Sequence, residues 1–163
     1  MAHYNLGNVL HDKGDHDSAI GEYRAAIHLR PDYAEAHGNL GVTLDDKGDH
    51  EGAIGEYREA IRLNPDHADA HNNLGLALHD KGDHEGAIAE VREAIHLKPD
   101  DAEAHYNLGL ALHDKGDHDR AIQDFDQAIR LKPDFAGAFL RWGLDRFYLA
   151  EFTAAQEDLT GAA

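Results

Sequence analysis

The sequence repeats itself every 34 residues, and that periodicity restricts the chain to a few architectures. Asn5-Leu6-Gly7 returns as Asn39-Leu40-Gly41, Asn73-Leu74-Gly75 and Asn107-Leu108-Gly109, and Pro31 returns as Pro65, Pro99 and Pro133. Between residues 68–101 and 102–135, 23 of 34 positions are identical, a likeness that points to recent duplication or to a sequence built toward a consensus. Blocks of this size share a core by stacking on their neighbours rather than burying one alone.

Each block reads as two helices. In the second, Leu40 and Leu44 mark one apolar stripe and Ala53, Ile54, Tyr57, Ala60 and Ile61 another, both at helical spacing. Gly14, Gly48, Gly82 and Gly116 fall where the first helix ends, because glycine takes the left-handed capping conformation cheaply. The next residue, Asp15, Asp49, Asp83 or Asp117, can accept from the free amides of the second helix, so Gly-Asp reads as stop and restart. The prolines close the block. After them, Asp32 with Glu35 and Asp100 with Glu103 have capping-box spacing, which places the next helix start at Asp32, Asp66, Asp100 and Asp134. Small residues at Gly41, Ala53 and Ala60 are expected where the two helices cross.

Leu-Gly, then Leu44, then Ala53-x-x-x-Tyr57, then Pro65, four times in register, resembles the tetratricopeptide repeat. The resemblance covers essentially the whole chain. It implies an all-α fold, a right-handed α-solenoid of stacked antiparallel helix pairs, as one domain over residues 1–163 with units 1–33, 34–67, 68–101, 102–135 and a divergent fifth, 136–163. That fifth unit has Trp142 in place of the Leu, Ala150 in place of the hinge Gly, and Phe139 and Phe152 where earlier units carry His. Ten helices in five pairs are expected. The aromatics Phe139, Trp142, Phe147, Tyr148 and Phe152 read as core of the last pair or as a docking end.

With 32 acidic and 15 basic residues the net charge is -17, which repels a phosphate backbone or an anionic membrane and disfavours nucleic acid and membrane partners. There is no cysteine, hence no disulfide framework, Cys-ligated zinc site or thiol nucleophile. The abrupt opening at Met1-Ala2-His3, already inside the repeat, reads as an excised fragment. The cytoplasm is the favoured compartment, with the periplasm open. No phosphate loop, nucleophile elbow or metalloprotease motif appears, so neither an enzyme nor a cofactor is expected.

The resemblance also implies that the first helix of each pair lines a concave groove. Asn5, Asn39, Asn73 and Asn107 form one column on it, and an Asn amide can both donate to and accept from an extended peptide's backbone. This is similar to the asparagine ladder in the repeat arms of O-linked N-acetylglucosamine transferases; the alternative is that these amides bond neighbouring helices. Val42, Leu76 and Leu110, with Asn8 and Leu144 in register, make an aliphatic strip read equally as ligand contact or helix packing. Tyr4, Asn72 and Tyr106, with Gly38 and Leu140, form the most varied column, where specificity could reside. Carboxylates flank the strip, Glu35, Asp69 and Glu103 on one side and Asp12, Asp46, Asp80 and Asp114 on the other, favouring a neutral to basic protein or peptide. The clamp with which some members grip acidic chaperone tails is not expected: Asn8 and Asn39 match it, but Tyr4, Asp69 and Asn73 stand where its cations would be.

Fourteen histidines remain. His3, His37, His71 and His105, and His16, His50, His84 and His118, give way to Phe in the fifth unit and read as ring packing. His11, His79 and His113 face the groove beside an Asp and read as weak, adventitious ligands for zinc or nickel, because ligands on adjacent helical positions point apart. Near pH ~6.5 their protonation would weaken attraction for a basic ligand. The expected function is a protein-interaction scaffold holding an extended segment in the groove; the alternative is a self-assembling repeat module joined end to end through Phe139, Trp142 and Phe152.

Overall fold

A computed structural model describes the backbone of residues 1–161 and the side chains of residues 1–150. Every regular element among the described residues is an α-helix. In order they are α1 (Ala2–Asp12), α2 (His16–Leu29), α3 (Ala34–Asp46), α4 (His50–Leu63), α5 (Ala68–Asp80), α6 (His84–Leu97), α7 (Ala102–Asp114), α8 (His118–Leu131) and α9 (Ala136–Gly161). None is long and apolar enough to cross a membrane.

The Gly-Asp hinges work as the sequence indicates. Gly14, Gly48, Gly82 and Gly116 have φ of 78, 82, 81 and 84°, the left-handed region that a side chain disfavours. Each hinge closes a Schellman-type turn, as where Gly14 N–H donates to His11 O at 2.8 Å and Asp15 N–H to Leu10 O at 2.9 Å. The Asp carboxylate then caps the second helix by accepting from Ser18, Gly52, Gly86 or Arg120 N–H, so the chain reverses with its terminal backbone groups satisfied.

At the Pro-Asp boundaries the expected start is one residue early. The residues capping α3, α5 and α7 are Tyr33, His67 and Asp101; the His67 ring accepts from Ala70 N–H and Asp101 accepts from Glu103 and Ala104 N–H, while Tyr33 makes no side-chain cap. The reason is the turn itself. Tyr33 N–H bonds Arg30 O and His67 N–H bonds Asn64 O, which holds Pro and Asp at the two central positions of a turn and leaves Asp32 and Asp66 outside the helix.

Within each pair the helices meet at a close crossing. Ala19, Ala53, Ala87 and Ala121 are fully buried, and Gly7, Gly41, Gly75 and Gly109 lie against Tyr23, Tyr57, Val91 and Phe125 of the partner helix. A Cβ on Gly109 would stand 2.5 Å from Phe125 Cε1, inside van der Waals contact. One continuous core, running from Ala19 to Phe125, joins the pairs. The first helices of successive pairs touch (α1 with α3, α3 with α5, α5 with α7, α7 with α9), whereas among the described residues successive second helices do not. The stack is therefore an α-solenoid that bends with its first helices on the inner wall.

The last unit departs from expectation. Over residues 136–161 the chain runs as the single helix α9 instead of a pair. The cause is local: Ala150 replaces the hinge glycine, and no other residue type adopts positive φ among the described residues. Trp142 packs on the core with the Arg146 guanidinium 4.8 Å from its ring, but Phe139, Phe147 and Tyr148 are exposed, contrary to the first of their two readings, core of the last pair. The side chain of Phe152 lies outside the described residues.

Gly109→Ala is expected to destabilise the fold by about 1–3 kcal/mol because the Phe125 ring is fully enclosed. Gly21→Ala, on a helical position with nothing within 4 Å, is expected to stabilise by about 0.5–1 kcal/mol. Urea unfolding of both variants checks the contrast.

Candidate functional site: the concave wall

The inner wall carries the Asn column, but its members are not alike. Asn39 spends both amide hydrogens on the preceding repeat, donating to Tyr4 Oη at 3.1 Å and Asn8 Oδ1 at 3.0 Å. Asn107 donates to Asn72 Oδ1 at 3.0 Å. These bonds tie neighbouring first helices through side chains rather than backbone. Asn73 is half-buried and Asn5 exposed, and neither side chain bonds another described residue.

Asn8 anchors the first of these links, since its Oδ1 also accepts from Tyr23 Oη at 2.8 Å. Burial first, then the neighbouring Tyr4, pushes the Tyr23 pKa up to about 12, so the hydroxyl remains a donor at any physiological pH. Asn8, His11, Asp12, Tyr23, Asn39 and Val42 surround an open cleft of about 280 Å³. Val42, Leu76 and Leu110 are half-buried, and Val42 and Leu110 pack on the core, which is the helix-packing role expected of the strip.

The varied column is matched to the connecting loop. Tyr4 lies with its ring centroid 4.9 Å from that of Tyr33, and Tyr106 4.8 Å from that of Phe135. Where the column has Gly38, the His67 ring fills the space, 3.3 Å from where a Cβ would stand. Asn72 is buried. These positions thus face a loop residue that sequence reading did not pair with them; the signal was the fixed 29-residue offset between Tyr4 and Tyr33, Gly38 and His67, and Tyr106 and Phe135.

Asp46, Asp80 and Asp114 are exposed along the rim. Three further carboxylates pair with lysines between repeats: Lys47 reaches Asp17, Lys81 reaches Glu51, and Lys115 reaches Glu85 at 2.6 Å. Asp69 pairs with Lys98 at 3.4 Å.

The histidines divide in two. His3, His37, His71 and His105 each place Nδ1 against a carboxylate of the second helix of their own pair: Glu22, Glu56, Glu90 and Asp124, at 2.6, 2.6, 2.7 and 3.1 Å. The His37, His71 and His105 rings are buried whereas His3 is exposed, and the carboxylate contact is an addition to the expected packing. His71 and His105 also direct Nε2 at Pro65 O and Pro99 O. The second set surprises: His16, His84 and His118 stand beside His11, His79 and His113, with ring centroids 5.5, 5.4 and 5.2 Å apart. The left-handed hinge swings the start of the second helix back over the end of the first, so imidazoles five residues apart converge although neighbours on a single helix diverge.

The chain matches the tetratricopeptide repeat family over residues 4–63, 39–101 and 102–135. It belongs to that family, whose helical arrays are protein-interaction scaffolds. Among solved structures, a crystal structure of MamA is 32% identical and superposes with a TM-score of 0.82 over 89% of this chain and 85% of that one. YrrB, described as a tetratricopeptide-repeat protein with an unusual peptide-binding site, is 24% identical, with a TM-score of 0.78 over 91% of this chain and 76% of that one. The first repeat domain of Spaghetti (RPAP3), solved with the HSP90 peptide SRMEEVD, is 19% identical, with a TM-score of 0.71 over 72% of this chain and 93% of that one. No match is found among curated proteins.

The hydrogen bond to Asp124 raises the His105 pKa above its usual value; burial opposes it and Pro99 O assists. A raised folded-state pKa contributes stability that is complete below the unfolded value of ~6.5 and is lost as pH rises through the folded value. NMR titration is expected to place His105 above ~6.5, and Asp124→Asn to return it toward that value.

Proposed function

We propose that the concave wall holds an extended, neutral to basic segment of a partner protein. The observation that carries this reading is the column Asn5, Asn39, Asn73 and Asn107, at one residue per repeat on the inner helices, with exposed Asp46, Asp80 and Asp114 alongside. Asn73 has its whole amide available for a peptide bond, while Asn39 and Asn107 hold the neighbouring helices in register. Spacing by one repeat suits main-chain recognition, because a backbone presents the same groups at each step and tolerates varied side chains. Half-buried Val42, Leu76 and Leu110 offer apolar contact.

Charge selects among peptides. The solved peptide complexes of this fold include an acidic partner, the SRMEEVD segment bound by RPAP3. Here a net charge of -17 and the carboxylates of Asp46, Asp80 and Asp114 oppose such a ligand, and Asp69 stands where a cation would be needed. Complementarity runs toward Lys- and Arg-containing segments.

A second reading, end-to-end self-association, rests on α9. Phe139, Leu140, Leu144, Phe147 and Tyr148 are 47, 65, 39, 61 and 55% exposed on one terminal helix, an apolar patch of the kind that docks another surface. It overlaps the columns of the concave wall only at Leu140 and Leu144 and leaves the rest of that wall free. Light scattering across a concentration range separates the two: mass that grows without ligand supports assembly.

A peptide array spanning acidic, neutral and basic extended sequences is expected to retain neutral and basic members. Asn73→Ala should weaken the retained peptides by roughly 5–10-fold, the cost of about one hydrogen-bonded amide. Undiminished binding would remove Asn73 from the site.

A further inference from the structure

The histidines that converge across the Gly-Asp hinges do not do so alone. His11 and His16 meet Asp46, His79 and His84 meet Asp114, and His113 and His118 meet Asp145; in each trio the potential ligand atoms lie within 4.8 Å of one another. Each trio joins the last turn of a first helix, the first turn of its partner, and the first helix of the next unit. We propose that these trios are binding sites for a borderline divalent transition-metal ion, Zn²⁺ being the probe of choice, and that the ion staples three helices across each repeat boundary.

The last trio carries the most detail. His113 Nδ1 and His118 Nδ1 both lie 2.6 Å from the same oxygen of Asp145. Asp145 is fully buried, and its second oxygen, Oδ2, has no hydrogen-bond partner. A buried carboxylate oxygen left unmatched is destabilising, and hydrogen bonding from the two imidazoles to Oδ1 does not relieve it. A cation at the trio takes carboxylate oxygen and imidazole nitrogen together, requiring only that the imidazoles carry their protons on the other ring nitrogen. The other trios show the same kind of unmatched atom, for His16 Nδ1 and His84 Nδ1 are buried without a partner. Three independent copies thus each contain a buried ligand-capable atom that packing alone leaves unsatisfied.

The donor set selects the metal class. Two imidazoles and one carboxylate suit Zn²⁺ and its neighbours, whereas Ca²⁺ and Mg²⁺ require oxygen ligands. Ligands ~2 Å from a tetrahedral ion stand roughly 3.3 Å apart, which these side chains reach by small rotations, with water in the fourth position.

The second unit is a built-in control. It has Asp45 where the others have His11, His79 and His113, and His50 Nδ1 lies 2.6 Å from Asp45 instead. This unit therefore lacks one imidazole of the set.

The test is calorimetric titration of Zn²⁺ into the tag-free, EDTA-stripped 163-residue chain, with thermal melts recorded in Zn²⁺ and in EDTA and circular dichroism confirming the helical fold of every variant. Three equivalents are expected, with a Zn²⁺-dependent rise in Tm that EDTA reverses and that Mg²⁺ and Ca²⁺ do not produce. His84→Gln and His118→Gln should each remove one equivalent and leave the others, and either serves if the other fails to fold. Asp45→His should add a fourth. No saturable Zn²⁺ binding overturns the proposal, as does a stoichiometry that none of these substitutions changes, which would mark scattered surface histidines as the ligands.

Discussion

The close approach of glycine to a large side chain sets the geometry on which the rest of the molecule depends. Gly7, Gly41, Gly75 and Gly109 have no Cβ, so Tyr23, Tyr57, Val91 and Phe125 seat directly on the backbone of the facing helix. Helices packed this closely bury Ala19, Ala53, Ala87 and Ala121 completely and leave no space for another side chain at the crossing. Because the same contact recurs each 34 residues, the pairs repeat with the same internal angle and stack with a regular bend. The bend brings the first helices together on one wall, and the Asn column follows from it.

Polar groups do a different task in this stack. The apolar contacts hold each pair together, while bonds such as Asn39 to Asn8, Asn107 to Asn72 and Lys115 to Glu85 run from one pair to another. The exposed lysine pairs contribute little stability singly, yet a recurring arrangement favours one register of stacking over a slipped one. The half-buried amides do so more strongly, because a slip would leave them unmatched. The Asn column therefore differs along its length: Asn39 and Asn107 link neighbouring helices, whereas Asn73 bonds no other described residue.

Much of this was legible in the primary structure. Helix pairing, the Gly-Asp reversals and the small residues at the crossings follow from local chemistry: only glycine takes positive φ cheaply, and Asp after it can reach the amide three residues on. The Pro-Asp starts were misplaced by one residue because a turn and a capping box share the same residue types, and only the backbone bonds of Tyr33 and His67 distinguish them. The exposed aromatics of α9 were equally beyond reach. Composition marks Phe139 and Phe147 as apolar, but whether anything covers them depends on whether the chain turns back at Ala150, where it continues as helix.

The sequence by itself determined the repeat, its two-helix content and the residues placed on the inner wall, because these depend on spacing within one block and on the intrinsic preferences of glycine, aspartate and alanine. Tertiary structure alone decided which of those residues meet. The trios of His11, His16 and Asp46 and their two counterparts combine two helices of one unit with a helix of the next, and the matching of Tyr4 to Tyr33 and Tyr106 to Phe135 spans a whole pair. Contacts of that range depend on the crossing angle and on the bend between units, and neither is encoded in the spacing along a single helix.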